Sequence, residues 1–382
     1  MQALEGLKVV DLTHAMAGAF ATYHLGLLGA EVLKIEPPEK GDEFRRWRPL
    51  TFAGANAGKR SMTLNLKSEE GREILSRLIE GADVVVENYR PGVAAKLGVT
   101  WEKIRALNPR AIFCSVSGYG QDGAWRDYPA IEWSVQALSG ITDLYVDPAG
   151  DPMRLGLSIL DPFAAYMGFS SILAALLQRE KTGAGQRIDV SMLDAGWVLN
   201  ASSVTDLLAG DMPVSKTRRA GSARFRARDR SFFVSLNWEK WVTAFLGIIG
   251  GTDMLADPRF ESEDARNRNA DAFYDEVCNR LASRDASEWI ADLVGVGVPA
   301  GLVQTLPEVA ASGHADARGL LYRVEAEDGR EASIVGAGFR FAENGPSLQS
   351  GIPRLGAHTA ETLRTLGYDD ETMESLRVRG LV

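Results

Sequence analysis

The sequence has few of the side chains that build disulfide frameworks and metal sites. Only two cysteines, Cys114 and Cys278, and four histidines occur among its 382 residues. Neither cysteine belongs to a CxxC pair, which argues against a structural zinc site and indicates a reducing compartment. The histidines show no HExxH spacing, and the GxSxG elbow of serine hydrolases is absent. Covalent chemistry is therefore expected from carboxylates.

An excess of positive charge is also lacking, since 42 Lys and Arg face 51 Asp and Glu. A general nucleic-acid binder carries a basic surface, so we expect no nucleic-acid partner. The N-terminus lacks the basic and apolar regions of a signal peptide. The most apolar stretch, residues 163–177, is short for a membrane span and runs into charged residues, so a buried helix and no membrane partner are expected. These patterns favour a soluble, cytoplasmic protein.

The first third of the chain alternates strand and helix patterns. The β-branched runs at 7–13 and 31–36 predict strands. Residues 68–81 begin with a serine suited to an N-cap and end in glycine, which predicts a helix. Further strands are predicted near 84, 112 and 186. The fold class is therefore α/β, with a parallel sheet covered by helices on both faces.

The character of the sequence changes twice after this region. Residues 210–231 are basic and irregular, and short strands resume after about residue 320. The opening strand–loop–helix unit resembles half of a dinucleotide-binding fold. Its turn, THAMAGAFA, lacks the GxGxxG glycines, so a nicotinamide or flavin dehydrogenase is not favoured.

Asp161 is the most notable carboxylate. It precedes Pro162 and a long apolar helix, so the simplest interpretation is a helix cap followed by a first-turn proline. The same position suits a nucleophile, because a helix N-terminus favours the ionised carboxylate and its N–H groups can stabilise an oxyanion. The two roles are compatible, and both stay open.

Basic residues occur in the loops at the ends of predicted strands. Single surface charges are usually only solvated, whereas a cluster at one edge of a parallel sheet would suit a phosphorylated ligand. The residues concerned are Lys59, Arg60, Lys67, Arg90 and Lys96.

Nine ordered stretches carry a resemblance to a known family. They are residues 9–22, 28–42, 56–72, 82–99, 107–123, 172–195, 257–260, 297–309 and 355–368. Together they resemble the family III CoA-transferases of the CaiB/BaiF superfamily, whose relatives include formyl-CoA transferase, carnitine-CoA transferase and α-methylacyl-CoA racemase. The resemblance spans almost the whole chain.

The resemblance implies a particular architecture. Residues 1–205 would form the N-terminal part of a large Rossmann-like domain, and 206–320 a smaller α+β domain. Residues 321–382 would return to the large domain. Two ring-shaped chains would interlock as a homodimer.

The resemblance also implies a mechanism. The family nucleophile is an aspartate at the position of Asp161, which would form an aspartyl anhydride and then an aspartyl-CoA thioester. The implied partners are an acyl-CoA and a small carboxylic acid, with no metal and no tightly bound cofactor, since CoA is a substrate. Glu132 matches a glutamate that supports catalysis in formyl-CoA transferase-like members, although it could also be an ordinary helix acid.

One position favours a transferase over a racemase. Related racemases carry a catalytic histidine where this chain has Ile131, and isoleucine cannot carry a proton. A racemase or epimerase that uses Asp161 with another base stays an alternative. A second alternative is a CoA-binding protein without catalytic activity.

For CoA, the resemblance points to the turn formed by Ala15, Met16 and Ala17 and to residues further along the chain. Among the latter, Tyr89 would lie near the adenine, and Lys67 and Lys96 would neutralise phosphates. These further residues are Lys67, Asn88, Tyr89, Arg90 and Lys96.

Two departures from the family bear on the substrate. Met16 replaces the glutamine of oxalate-using members, which disfavours formyl-CoA:oxalate exchange. A basic segment replaces the glycine-rich loop of formyl-CoA transferases, and its Arg224, Arg226 and Arg228 would suit a carboxylate acceptor. Family habit suggests succinyl-CoA as donor and a small dicarboxylate as acceptor.

Overall fold

The computed structural model describes residues 1–147, 149–210, 222–327 and 329–382. The chain divides into two compact units, Met1–Met212 with Ala315–Val382, and Pro213–His314. The boundaries expected after residues 205 and 320 stay a prediction. The first of them falls inside the helix Ala201–Ala209.

Three sheets are present among the described residues. A six-stranded parallel sheet has the order β3-β2-β1-β4-β5-β6, and two smaller antiparallel sheets contain β7-β8-β9 and β10-β11. The α/β fold with a large parallel sheet is thereby confirmed. The strands are β1 Lys8–Asp11, β2 Glu31–Glu36, β3 Arg60–Thr63, β4 Val84–Glu87, β5 Ile112–Ser117, β6 Arg187–Ser191, β7 Ser222–Arg226, β8 Ser231–Ser235, β9 Ala300–Leu302, β10 Leu321–Glu325 and β11 Glu331–Val335.

Helices connect these strands, and short 3-10 helices lie at Ile141–Leu144 and Thr252–Ala256. The α-helices are α1 Ala17–Leu27, α2 Phe44–Trp47, α3 Pro49–Asn56, α4 Glu69–Glu80, α5 Val93–Lys96, α6 Trp101–Leu107, α7 Glu132–Leu138, α8 Leu160–Thr182, α9 Met192–Leu199, α10 Ala201–Ala209, α11 Glu239–Ile248, α12 Glu263–Arg268, α13 Ala270–Leu281, α14 Ala286–Gly295, α15 Leu306–Ala311, α16 His314–Ala317, α17 Thr359–Thr365 and α18 Asp370–Val378.

The parallel sheet separates two apolar cores. Successive residues of a strand point to opposite faces, so Val84 and Val86 of β4 pack with α1 and α8, whereas Val85 packs with α4 and α6. The C-terminal helices α17 and α18 add Leu363 and Met373 to the second core. The end of the chain is thus part of the same unit as its beginning.

Helix α8 extends on both sides beyond the apolar stretch at residues 163–177. Its 23 residues are apolar and numerous enough to cross a membrane by length and composition alone. Its Ala164, Ala165 and Ile172 are fully buried in the core that it shares with α1 and the sheet. Core packing therefore accounts for its apolar character.

The smaller unit has its own aromatic core. Strands β7 and β8 bury Phe225 and Phe232 against helices α11 and α13, which contribute Phe245 and Phe273. The stacked rings of Phe225 and Phe245 lie 5.6 Å apart. This core belongs to the smaller unit alone.

The basic segment expected to be a loop is a strand where the structure describes it. Arg224 and Arg226 lie on β7 and are exposed because they alternate with buried residues. Arg228 follows the strand and pairs with Asp285 at 2.9 Å. The part of the segment before residue 222 lies outside the described residues.

Candidate active site

A cavity of about 530 Å³ opens beyond the carboxyl ends of the parallel strands. It is lined by residues 14–17 after β1, 88–91 after β4 and 116–119 at the end of β5, together with parts of α7 and α8. The strand order reverses between β1 and β4. Such a switch point is where ligands bind in open α/β sheets. All residues that line the cavity belong to the larger unit.

Asp161 lines this cavity but does not cap its helix. Helix α8 begins at Leu160 with Ile159 as the N-cap, so Asp161 is already helical. The expected cap role is therefore wrong. Its side chain has no hydrogen-bond partner within the described part of the chain, and it reaches the cavity directly.

Glu132 of α7 caps α8 in its place. Its Oε1 accepts the N–H groups of Ile159 and Leu160 at 3.0 and 3.1 Å, and its Oε2 accepts the N–H of Asp161 at 2.8 Å. The first N–H groups of a helix lack partners within the helix, so a buried helix start needs such an acceptor. Glu132 is 7% exposed. Its carboxylate thereby fixes the backbone of Asp161.

Burial raises the pKa of Asp161 to about 7, and the nearby Glu132 carboxylate adds to the effect. A helix N-terminus by itself favours the ionised form of a carboxyl group. That effect is outweighed because Glu132 already occupies the first N–H groups of the helix. At neutral pH the Asp161 carboxyl is thus close to its midpoint and more basic than an exposed one.

Gln136 holds Glu132 in place and was not recognised in the sequence. Its Nε2 donates to Glu132 Oε1 at 2.7 Å and to the carbonyl of Leu157 at 3.2 Å. Its Oε1 accepts the N–H of Leu155 at 3.2 Å. The side chain is fully buried. Gln136 therefore links Glu132 to the segment that leads into α8.

The turn after β1 is fixed by hydrogen bonds to neighbouring loops. Ala15 adopts a left-handed φ of 57°, and its N–H donates to Asp42 at 3.2 Å. Asn88 accepts the N–H of His14 at 2.7 Å and donates to its carbonyl at 2.8 Å. His14 Nε2 lies 3.2 Å from the Tyr89 hydroxyl. The structure thus brings the turn, Asn88 and Tyr89 to one wall of the cavity.

A buried ionic network lies next to this turn. Lys59 pairs with Asp11 at 2.8 Å and Lys34 with Asp42 at 3.1 Å. Burial alone would raise the pKa of Asp11, but the charges of Lys59 and Lys34 lower it to about 2. Lys59 is therefore neither solvated nor available to a phosphate, contrary to both expectations. Arg60 pairs with Glu361 at 3.0 Å.

The remaining basic residues divide between the cavity mouth and the surface outside it. Arg90 is exposed and lines the cavity, whereas the exposed Lys67 and Lys96 do not. Arg48 and Arg126 also line the cavity and are exposed, although neither was among the residues expected to bind the ligand. The dense basic run at residues 45–48 was a signal for Arg48.

Comparisons with known proteins show which family and which relatives match most of this chain. The model of CoA-transferase family III matches residues 4–359. The acetyl-CoA:oxalate CoA-transferase of Acetobacter aceti is 37% identical over 84% of this chain and 85% of that protein. The succinate–glutarate CoA-transferase of Agrobacterium fabrum is 30% identical over 97% of this chain and 96% of that protein.

A solved structure is similar over nearly the whole length. The CaiB/BaiF family protein of Brucella suis has a TM-score of 0.83 and 30% identity, covering 96% of this chain and 99% of that one. This chain therefore belongs to CoA-transferase family III, and it is a CoA-transferase whose substrates are CoA thioesters.

Proposed function

We propose that this enzyme moves CoA from an acyl-CoA donor to a carboxylic acid, with Asp161 as the nucleophile. The observation that carries the proposal is the Asp161 carboxyl itself. This carboxyl lines the cavity at the switch point of the sheet, and Glu132 Oε2 accepts the backbone N–H of Asp161 at 2.8 Å. A fixed, basic carboxylate beside a small-molecule cavity suits nucleophilic catalysis.

The first half-reaction transfers CoA to the enzyme. The Asp161 carboxylate attacks the donor thioester carbonyl, forming a mixed anhydride and releasing the CoA thiolate. The thiolate then attacks the aspartyl carbonyl of the anhydride. This step forms an aspartyl-CoA thioester and releases the donor acid as its carboxylate. The thioester bond is conserved, so no energy source is consumed.

The second half-reaction repeats these steps with the acceptor. Its carboxylate attacks the aspartyl-CoA carbonyl, which forms a new anhydride and releases the thiolate. The thiolate attacks the acceptor carbonyl, giving the new acyl-CoA and the free Asp161 carboxylate. Each step exchanges one acyl bond for another, which divides a difficult transfer into easier ones.

For CoA, we propose a position along the turn at residues 15–17 and the segment at residues 88–90. The exposed Arg90 would meet the phosphates at the cavity mouth, with Lys67 and Lys96 further out. Asn88 lines the cavity and also holds the turn. Its amide is engaged by the backbone of His14, so it supports the turn.

The racemase alternative needs a second base, which Ile131 cannot supply. Ile131 lines the cavity and is 66% exposed. His14 is the one imidazole among the described residues of the cavity wall, and burial lowers its pKa. Deuterium incorporation at the α-carbon of a 2-methylacyl-CoA, in D2O without an acceptor, would favour a racemase.

The transfer itself is tested by product analysis. The enzyme is incubated with several acyl-CoAs and a pool of carboxylic acids, and new thioesters are identified by mass spectrometry. We expect new thioesters with the wild type and none with Asp161→Asn. If Asp161→Asn forms them at the wild-type rate, the proposal is wrong.

A further inference from the structure

Within the described chain, every lysine or arginine that lines the cavity is exposed and is taken to mark its mouth. Its three arginines, Arg48, Arg90 and Arg126, are all exposed. The side chain of Arg126 is 44% exposed, and its Nη1 lies 3.8 Å from Asp127 Oδ1. Charges placed in this way can meet the phosphates of CoA, but solvent surrounds them.

The buried residues that line the cavity form its inner wall, which is mostly apolar and also contains the neutral Ser117. The buried residues Ala17, Val116, Tyr119 and Met192 line it. Met16, in the turn proposed for CoA, and the ring of Trp133 continue the same surface, and the exposed Arg154 stacks on that ring at 4.6 Å outside the lining. No lysine or arginine lies among the buried or half-buried residues that the structure describes along this wall.

The only acidic residues of the cavity wall in the described chain are Asp161 and Glu132. The reacting carbonyl must reach Asp161, so the rest of the acyl group has to lie against the walls nearby. His14 also lines the cavity, but burial lowers its pKa and so disfavours the charged imidazolium. Among the residues that the structure describes, a second carboxylate on the substrate would therefore lose water next to two acidic side chains and meet no buried cation.

We infer that the acyl group exchanged at Asp161 is apolar beyond its carboxyl carbon, as in a monocarboxylic acid with an aliphatic or aromatic chain. This inference rests on the proposed function. Burying an unpaired carboxylate is costly, whereas burying methylene or ring carbons is favourable. The inferred apolar acyl group replaces the dicarboxylate expected from the family resemblance. It also differs from the oxalate and the glutarate in the names of the two relatives.

The test compares two donors of the same chain length, pentanoyl-CoA and glutaryl-CoA. They differ only in a terminal methyl group against a terminal carboxylate. Both leave the same aspartyl-CoA adduct on the enzyme, so intact-protein mass spectrometry measures both rates on one product. The readout is the ratio of the two second-order rate constants for adduct formation.

For the wild type, we expect pentanoyl-CoA to react about tenfold faster or more. Met16→Gln offers an amide N–H to the inner wall at nearly constant size, so the ratio should fall. Arg48→Gln and Arg126→Gln are the controls at the mouth. The CoA moiety is the same in both donors, so any loss of CoA contacts cancels and the ratio should stay unchanged.

A wild type that reacts with glutaryl-CoA as fast as with pentanoyl-CoA would overturn the inference. So would a preference for glutaryl-CoA that disappears in Arg48→Gln or Arg126→Gln, because a mouth arginine would then bind the second carboxylate. If neither donor forms an adduct at Asp161, the proposed function itself fails, and this inference fails with it.

Discussion

At the scale of single residues, the chemistry of Asp161 depends on what surrounds its carboxyl. Burial raises its pKa to about 7, and the Glu132 carboxylate contributes in the same direction. A carboxylate that is costly to ionise is a stronger base and nucleophile than an exposed one. The protein must stabilise this arrangement through the contacts that hold α7 and α8.

This raised pKa predicts a pH-dependent stability. Between about pH 4 and pH 7 the folded state holds a proton on Asp161 that the unfolded state has lost, so the free energy of unfolding should fall as pH rises. Asp161→Asn should lose this component and be at least as stable as the wild type at about pH 8. Urea denaturation between about pH 4 and pH 8 measures the free energy of unfolding of the wild type and of Asp161→Asn.

The matched control is Asp127→Asn, which changes an exposed acid in the loop before α7. This variant should keep the wild-type pH dependence. An Asp161→Asn variant with the wild-type dependence would show that the Asp161 carboxyl titrates normally.

At the scale of secondary-structure elements, α8 begins where another helix supplies its cap. Local signals placed the start at Asp161 and Pro162, because aspartate and proline favour such positions. The actual acceptor, Glu132, lies 29 residues earlier than Asp161 and is brought near only by the fold. Capping between helices is not visible in a local pattern.

Glu132→Gln tests this cap. The amide keeps the size but loses one acceptor, so we expect a loss of about 1–3 kcal/mol in the free energy of unfolding. It also removes the negative charge next to Asp161. The pH midpoint of adduct formation should therefore move to lower pH, which a purely structural role of Glu132 would not cause.

Glu69→Gln is the control, since Glu69 is an exposed acid in the first turn of α4. Its stability and pH midpoint should match the wild type. A Glu132→Gln enzyme with an unchanged pH midpoint would remove Glu132 from the electrostatics of the site.

Strands and helices with local signals were predicted well. Strand β2 occupies residues 31–36 as expected, and Ser68 caps α4 by accepting the N–H of Gly71 at 3.0 Å. Strand β7 was missed because arginines hid the alternation of its buried Ala223 and Phe225. The burial of Lys59 could not be predicted, since its partner Asp11 is distant in sequence.

The loops at the strand ends make a separate prediction about CoA. Lys67 follows β3 and Lys96 ends α5 after β4, so both lie at the carboxyl edge of the sheet, outside the cavity. Changing both to glutamate should weaken CoA binding strongly in calorimetry, because phosphates would meet negative charge. Both side chains are exposed, so the thermal midpoint should not change. Unchanged CoA affinity would place the phosphates elsewhere.

At the scale of the whole molecule, the larger unit exposes large apolar side chains, and the homodimer that the family resemblance implies stays a prediction. Helix α10 has no buried residue, and its Leu208 is 74% exposed. Trp197 of the preceding helix is 51% exposed. Large exposed apolar surfaces on folded proteins are typical of interaction sites. A second copy of this chain is the partner that the family resemblance implies.

Analytical ultracentrifugation tests the homodimer. If two chains interlock, the protein should sediment at twice the mass of one chain at every accessible concentration, because the folded monomer lacks its partner surface. Leu208→Glu should reduce the amount of soluble dimer, whereas the same change at the exposed Leu306 of the smaller unit serves as the comparison. A stable and active monomer would rule out interlocked chains.

The most direct test of the whole account is the covalent state of Asp161. The enzyme is incubated with an acyl-CoA donor alone, treated with hydroxylamine and digested for peptide mass spectrometry. Anhydrides and thioesters both react with hydroxylamine, so we expect a hydroxamate on Asp161 in the wild type and none in Asp161→Asn. A wild type that exchanges CoA at full rate while Asp161 remains unmodified would contradict it.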